Sequence, residues 1–260
     1  MRKFVVISVN ENPEYLFYVP LVIWAWEKFG WKVILIAKEE SSYTNLIWRT
    51  QSPDKILFVK NDKYPSAMVA QVARLYAAIN RNSDDYIMTS DADMLPLSDY
   101  WKFDSDKITV WGHDLTNYNH MPICYIGMKA SRWIEVMGIT SSSHIELMNR
   151  DIELLPNAKS NNPEKLWCLD QDLITERINA VQFEKEFVHR GVYPNGYPIG
   201  RIDRSAFSLN HPQYIDCHMP RVLGDHRNKA MLWNVLVKVW PQEDFGWFGE
   251  YSEQFSKLVK

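Results

Sequence analysis

Asp85-Tyr86-Ile87-Met88-Thr89-Ser90-Asp91-Ala92-Asp93-Met94 is the stretch on which the fold turns. Its β-prone run, Tyr86 to Thr89, leads straight into two carboxylates separated by one alanine. Side chains alternate across a strand, so residues two apart share a face. Asp91 and Asp93 are therefore expected to project together from the carboxyl end of a buried strand, where open α/β sheets bind ligands. Two like charges so close are costly without a cation beside them. Hard oxygen donors suit Mg²⁺ or Mn²⁺, which take one or two carboxylates plus substrate phosphates. The pair predicts a metal–diphosphate site. In a chain with 32 acidic residues the same spacing also arises by chance in turns and helix N-caps. Position separates this case: an apolar strand precedes the acids, and Met94-Leu95-Pro96 closes the segment at once.

Upstream, Lys3 to Val9 is a continuous apolar, β-branched run, as a buried parallel strand requires. A polar turn through Pro13 follows, then a helix from Tyr15 to Phe29 ended by Gly30, and a second strand from Lys32 to Ala37. This is a βαβ opening. Ser8 and Asn10 sit at its carboxyl edge, either bonding a nucleotide base or ribose or serving as ordinary turn residues. Glu39 to Lys55 reads as an irregular loop, Ile56 to Val59 as a third strand, and Tyr64-Pro65 as the start of an apolar helix. Arg74 lies inside that helix and needs an anionic partner. Asp91 or Asp85 is the structural choice, and a nucleotide phosphate the alternative.

Downstream, Ile108 to Trp111 and Ile123 to Met128 read as strands, the second beside the strand that carries the acids. A helix from an N-cap at Ser131 to Gly138 follows. Thr140 to Asn162 is polar, with a helical segment around Ile145 to Leu155, and is the candidate for a mobile lid or acceptor-side insertion. In Leu166-Trp167-Cys168-Leu169-Asp170-Gln171-Asp172 two acids open an amphipathic helix. One is expected as the N-cap, the other in the pocket as a general base or as a ligand for sugar hydroxyls. His189 to Arg204 holds three Gly and two Pro, a shaped loop that presents Tyr193 and Tyr197 for stacking on a sugar. A helix from about Lys229 to Val239 and an aromatic, charged end from Phe245 complete the chain.

At 260 residues and 46% hydrophobic content the expectation is one α/β domain with a sizeable core. Aromatics at 13%, with 11 Trp, suit a carbohydrate site, although most Trp are expected in the core. A net charge of −3 gives no basic footprint for nucleic acid. Cys124, Cys168 and Cys217 are odd in number and widely spaced, as reduced thiols in a cytosolic protein are. The apolar run after Met1-Arg2-Lys3 is too short for a signal peptide, and Leu16 to Trp26, with Pro20 inside, is too short to span a bilayer. A soluble, cytoplasmic protein is expected.

Taken together, the βαβ opening, the Arg74 helix, Ser90-Asp91-Ala92-Asp93, Asp170-Gln171-Asp172 and a C-terminal histidine resemble the GT-A glycosyltransferases with a DXD motif. More narrowly, Ile7-Ser8-Val9-Asn10-Glu11-Asn12-Pro13 and the small size resemble the capsid glycosyltransferases of chloroviruses, which would place the protein in the host cytoplasm. The resemblance implies a GT-A type, Rossmann-like sheet, mixed but mainly parallel and flanked by helices. Residues 1–112 would form the nucleotide-sugar half, ending at the DXD, and 113–260 the acceptor half with the C-terminal segment. It implies Mn²⁺ or Mg²⁺ held against the diphosphate of a UDP-linked sugar donor. Asp93 would be the main metal ligand, and Asp91 would reach the ribose or the metal's water shell. A histidine would complete the shell: His218 is preferred for its apolar context, then His226, then His211.

The chemistry also stands on its own terms. A departing diphosphate accumulates negative charge that a divalent ion stabilises, with Arg221 or Arg227 as helpers. An acceptor hydroxyl, on a glycan or glycoprotein, needs a base, for which Asp172 and Asp170 compete. Transfer of a hexosyl or pentosyl group is expected to invert if that acid lies behind the anomeric carbon and to retain if no acid is there, with inversion favoured. A nucleotidyltransferase acting on sugar phosphates is the rival enzyme, but the first loop lacks the glycines of a phosphate cradle. A phosphatase would carry Asp-x-Asp after its first strand. A non-catalytic carbohydrate-binding protein is the remaining alternative.

Overall fold

In the computed structural model, which describes residues 1–115, 120–159, 166–194 and 196–259, β1 (Lys3–Val9) lies inside a seven-stranded sheet. Phe4, Val5, Val6 and Ile7 are all fully buried, as a strand covered on both faces must be. On one side β1 pairs in parallel with β2 (Lys32–Ala37), and β2 with β3 (Lys55–Phe58). On the other it pairs in parallel with β4 (Tyr86–Thr89). Beyond β4, β7 (Ile126–Lys129) runs antiparallel to both β4 and β6 (Ile108–Trp111), and β8 (Lys185–Val188) closes the edge parallel to β6. The order β3-β2-β1-β4-β7-β6-β8 means that the chain moves outward from β1 and then returns to lay β4 on its other side. That reversal opens a crevice between the carboxyl ends of β1 and β4, the switch point at which doubly wound sheets bind ligands. The architecture is the mixed, mainly parallel α/β sheet expected from the sequence, in a single domain.

Several elements depart from the sequence reading for identifiable reasons. One helix was expected over Tyr15 to Phe29; two form, α1 (Pro13–Leu16) and α2 (Val19–Lys28). Pro20 has no N–H and is tolerated only in a helix's first turn, so the chain restarts at Val19. Asn12 Oδ1 caps α1 by accepting from the Glu14 N–H at 3.0 Å. The expected loop after Glu39 contains α3 (Ser42–Thr50). Its start is a capping box: the Thr44 N–H donates to Ser41 Oγ at 3.2 Å and the Ser41 N–H to Thr44 Oγ1 at 2.8 Å. Polar composition hid an amphipathic helix whose Leu46 and Ile47 are buried.

The apolar helix expected from Tyr64 is α4 (Ser66–Ala73), which tightens into a 3₁₀ turn at Arg74–Tyr76. α5 (Ala130–Val136) begins one residue before Ser131, so Lys129, not Ser131, is its N-cap. α6 (His144–Leu154) is no loose lid. Leu147, Met148 and Ile152 are buried in the core, and the fully buried Asp151 accepts from Arg150 at 2.7 Å and Arg177 at 2.9 Å. Asn162, at the end of that expected insertion, and Asn195, in the Gly/Pro-rich loop, lie outside the described residues.

α7 (Leu169–Ala180) follows. A second, three-stranded sheet then sits across the crevice, built from β5 (Met94–Pro96), β9 (Arg201–Asp203) and β10 (Asp216–His218). β10 lies in the middle, antiparallel to β5 and parallel to β9. α8 (His226–Val239) starts three residues earlier than expected because Asp225 Oδ1 accepts from the N–H groups of Arg227 and Asn228. α9 (Gly246–Leu258) ends the described chain. Trp26, Trp31, Trp101, Trp111 and Trp133 are all buried, so these tryptophans serve the core. Among the described residues no helix is long and apolar enough to cross a membrane.

Candidate active site

β4 ends at Thr89, so Asp91 and Asp93 lie in the turn between β4 and β5 rather than on a strand. The alternation rule does not reach them, and their carboxylates diverge. Asp91 pairs with Arg74, whereas Asp93 turns the other way, towards Arg204 at 2.9 Å, His218 Nε2 at 3.5 Å and Arg221 at 3.6 Å. Both still line the switch-point crevice, a cleft of about 260 Å³. Ser8 and Asn10 reach it from the end of β1, Arg74 from the end of α4, Asp170 and Gln171 from the start of α7, and His218 from the end of β10.

Arg74 is buried and bridges two acids: Asp91 on one side and Asp170, itself 1% exposed, on the other. A third bond runs from Arg74 to the Ser90 carbonyl at 3.2 Å. Of the two partners expected, Asp91 is present, while Asp85 is taken by Arg2 at 2.7 Å. Asp170 is the partner that sequence reasoning missed.

Neither acid caps α7, because the cap position is Cys168. Successive helical residues turn by about 100°, so positions two apart face nearly opposite ways. Asp170 therefore enters the cleft and Asp172 leaves it, to meet His120 Nε2 at 3.1 Å and Asn157 Nδ2 at 3.0 Å. Burial raises the Asp170 carboxyl despite Arg74.

Of the three candidate histidines, His218 is the one in the cleft. His226 is exposed at the start of α8, and His211 Nδ1 meets the Tyr193 hydroxyl at 3.1 Å in the Gly/Pro-rich loop. Arg221 lies 4.2 Å above the Tyr15 ring and donates to its hydroxyl at 2.8 Å, while Arg227 is exposed. Arg204, just after β9, lines the cleft without any sequence motif to announce it. Trp167 also lines it and is 58% exposed.

Burial alone would raise the Asp93 carboxyl, but His218, Arg204 and Arg221 outweigh it and hold the group below the usual carboxylate range. Burial works against charge on His218 as well, yet Asp203 and Asp93 raise its imidazole above the ordinary value. Among the described residues no group of three or more His, Cys, Asp or Glu side chains is arranged to hold a metal ion. Asp93 Oδ2 and His218 Nε2, one hard oxygen and one imidazole nitrogen, nevertheless lie 3.5 Å apart, with Arg204 and Arg221 beside the same oxygen. Mg²⁺- or Mn²⁺-type sites in which phosphates and water fill the remaining positions need no more from the protein. Cys124, Cys168 and Cys217 are free thiols.

No protein-family model matches the sequence, and no curated protein matches it. Solved structures are similar in fold. The chain aligns with the glycosyltransferase GlyE of Streptococcus pneumoniae TIGR4 at a TM-score of 0.54 and 12% identity, covering 100% of this chain and 64% of that one. The apo form of GlyE gives a TM-score of 0.50 at 12% identity, with 100% and 64% covered. An active-site mutant of LgtC gives 0.49 at 10% identity, with 88% and 94% covered. The chain thus spans 64% of the length of the GlyE structures.

Proposed function

We propose that this chain is a glycosyltransferase that moves a hexosyl or pentosyl group from a nucleotide diphosphate sugar, UDP-linked, to a hydroxyl of a glycan or glycoprotein. One observation carries the reading. Ser8, Asn10, Arg74, Asp91, Asp93, Asp170 and His218, scattered from one end of the sequence to the other, all line one crevice. That crevice sits at the switch point of a fold shared with glycosyltransferases. The narrower likeness to viral capsid glycosyltransferases would make a capsid glycoprotein the acceptor.

Ser8 and Asn10 would bond the nucleoside. Asp93 and His218 would hold Mn²⁺ or Mg²⁺, with Asp91 reaching the ribose or the ion's water shell. The ion's chemistry when bound is charge neutralisation on the departing diphosphate. Arg204 and Arg221, beside Asp93, would take diphosphate oxygens. Residues 1–112 would hold the donor, while the second half adds Asp170, Arg204 and His218 and receives the acceptor. Trp167, exposed at the rim, offers a flat face to a sugar.

The stereochemical course turns on Asp170, the one acid of its pair in the cleft. Arg74 Nε donates to its Oδ2 at 3.1 Å and the Gln171 N–H to its Oδ1 at 2.9 Å. Both of its oxygens are thus already engaged and Asp172 is elsewhere, so retention is proposed in place of the inversion expected from sequence. Anomeric NMR of the product distinguishes the two.

The function is tested by incubating the protein with Mn²⁺ and a panel of UDP-, GDP- and TDP-sugars. Slow metal-dependent hydrolysis of one of them, lost in Asp93→Ala together with metal-dependent UDP binding, is the expected result. Pyrophosphate release would mark a nucleotidyltransferase, and sugar binding without turnover a carbohydrate-binding protein.

A further inference from the structure

We propose that Asp203 is a positioning residue of this site: its carboxylate fixes the His218 ring so that Nε2, together with Asp93, receives the divalent cation. The inference rests on the proposed metal-dependent reading and adds to it a residue outside the cleft lining.

Asp203 and His218 are direct register partners at the ends of the parallel strands β9 and β10. Asp203 is itself held from two sides. Its Oδ1 accepts from the Ser205 N–H at 2.9 Å and from the Ser205 hydroxyl, and its Oδ2 meets His218 Nδ1 at 3.3 Å. An ionised carboxylate only accepts, so Nδ1 must carry the hydrogen. In the neutral ring the lone pair is then on Nε2, which faces Asp93 Oδ2 at 3.5 Å. Two acceptors so placed hold a proton or a cation between them, and Arg204 and Arg221 supply positive charge to the same Oδ2. Metal-ligating histidines are commonly set up in this way, with the far N–H given to a carboxylate that fixes both tautomer and ring orientation. The side chain of Asp203 is only 14% exposed and lies behind His218, so its influence passes through the imidazole.

The test is Mn²⁺ binding to the full chain, followed by electron paramagnetic resonance and calorimetry with no sugar nucleotide present, alongside thermal unfolding. Asp203→Ala should weaken Mn²⁺ binding by about 10- to 100-fold, the usual effect of losing such a carboxylate, with little change in unfolding midpoint. Asp203→Asn keeps the shape and an acceptor oxygen but no charge, and should fall between Ala and wild type. Ser205→Ala, which frees Oδ1, should give a smaller loss of the same sign. Unchanged Mn²⁺ affinity in Asp203→Ala, with the wild type binding normally, overturns the assignment of Asp203 alone. So does an affinity loss in Asp203→Asn that follows a fall in folded fraction. A wild type that binds no Mn²⁺ at all overturns the metal reading of the cleft and this inference with it.

Discussion

Replacing Arg74 with methionine probes the centre of the cleft most directly. Methionine keeps much of the aliphatic bulk while removing the charge. Two carboxylates lose their partner, but not equally: the Asp170 side chain is 1% exposed and the Asp91 side chain 35%. Asp91 can be rehydrated and contributes little, as exposed pairs do. Asp170 cannot. Removing one partner of a buried pair costs about 3–5 kcal/mol, because the other charge is left without compensation. For a chain of this size each kcal/mol moves the midpoint by about 2–4 °C. Arg74→Met should therefore lower the melting temperature by roughly 6–20 °C. Calorimetry and urea unfolding at neutral pH read this directly. The same loss should shrink on acidification, since a buried carboxyl with a raised folded-state pKa is less costly once protonated. Arg74→Met combined with Asp170→Leu should recover most of the stability, because an apolar pair can replace a buried ion pair at little cost. A single mutant within about 1 kcal/mol of wild type, or a double mutant no better than the sum of its singles, would refute the reasoning.

Three further expectations follow from named contacts. Arg204→Ala should weaken UDP binding by about 10-fold or more, the scale of a lost hydrogen bond to a charged group, while leaving uridine binding unchanged in calorimetry. Asp170→Asn, which removes the charge that holds Arg74 in the cleft, should lower turnover more than Asp172→Asn, whose carboxylate lies outside the cleft beside His120 and Asn157; steady-state rates with a hydrolysed donor compare the two. Asp216 gives a pH signature. Burial alone would raise its carboxyl, but Arg190 and Arg201 outweigh it and hold the group far below the ordinary range. A depressed folded-state pKa stabilises above the unfolded value of about 3.9 and loses that contribution as pH falls through the folded value. Wild-type stability should therefore decline below about pH 4. Asp216→Asn, destabilised by about 3 kcal/mol at neutral pH, should show a shrinking deficit in acid denaturation profiles.

How much of this was legible beforehand differs from element to element. β1, β2, β4 and β6 were plain in the sequence because a strand covered on both faces must be apolar throughout. The βαβ opening together with an acidic turn after β4 therefore placed a site at the sheet's carboxyl edge. The capping box at Ser41 and Thr44 is equally local and marks the start of α3 despite the segment's polar composition. That Asp170 and Asp172 cannot both face the cleft was also within reach, from the pitch of a helix alone.

Other features belong to the fold. Arg204 and Asp203 end the Gly/Pro-rich loop with no motif of their own and reach Asp93 and His218 only because β9, β10 and β5 pair in one particular register. The same is true of the choice of His218 over His226, and of the bridge that Arg74 makes from Asp91 to Asp170. Sequence by itself determined the local patterns, namely which segments bury both faces, where helices start and where charge gathers at a strand end, since these depend on neighbours one to four residues apart. Tertiary structure alone decided which distant side chains share the cleft and which oxygen each cation meets, because those contacts depend on strand register and helix rotation, and both are set by packing across the whole core.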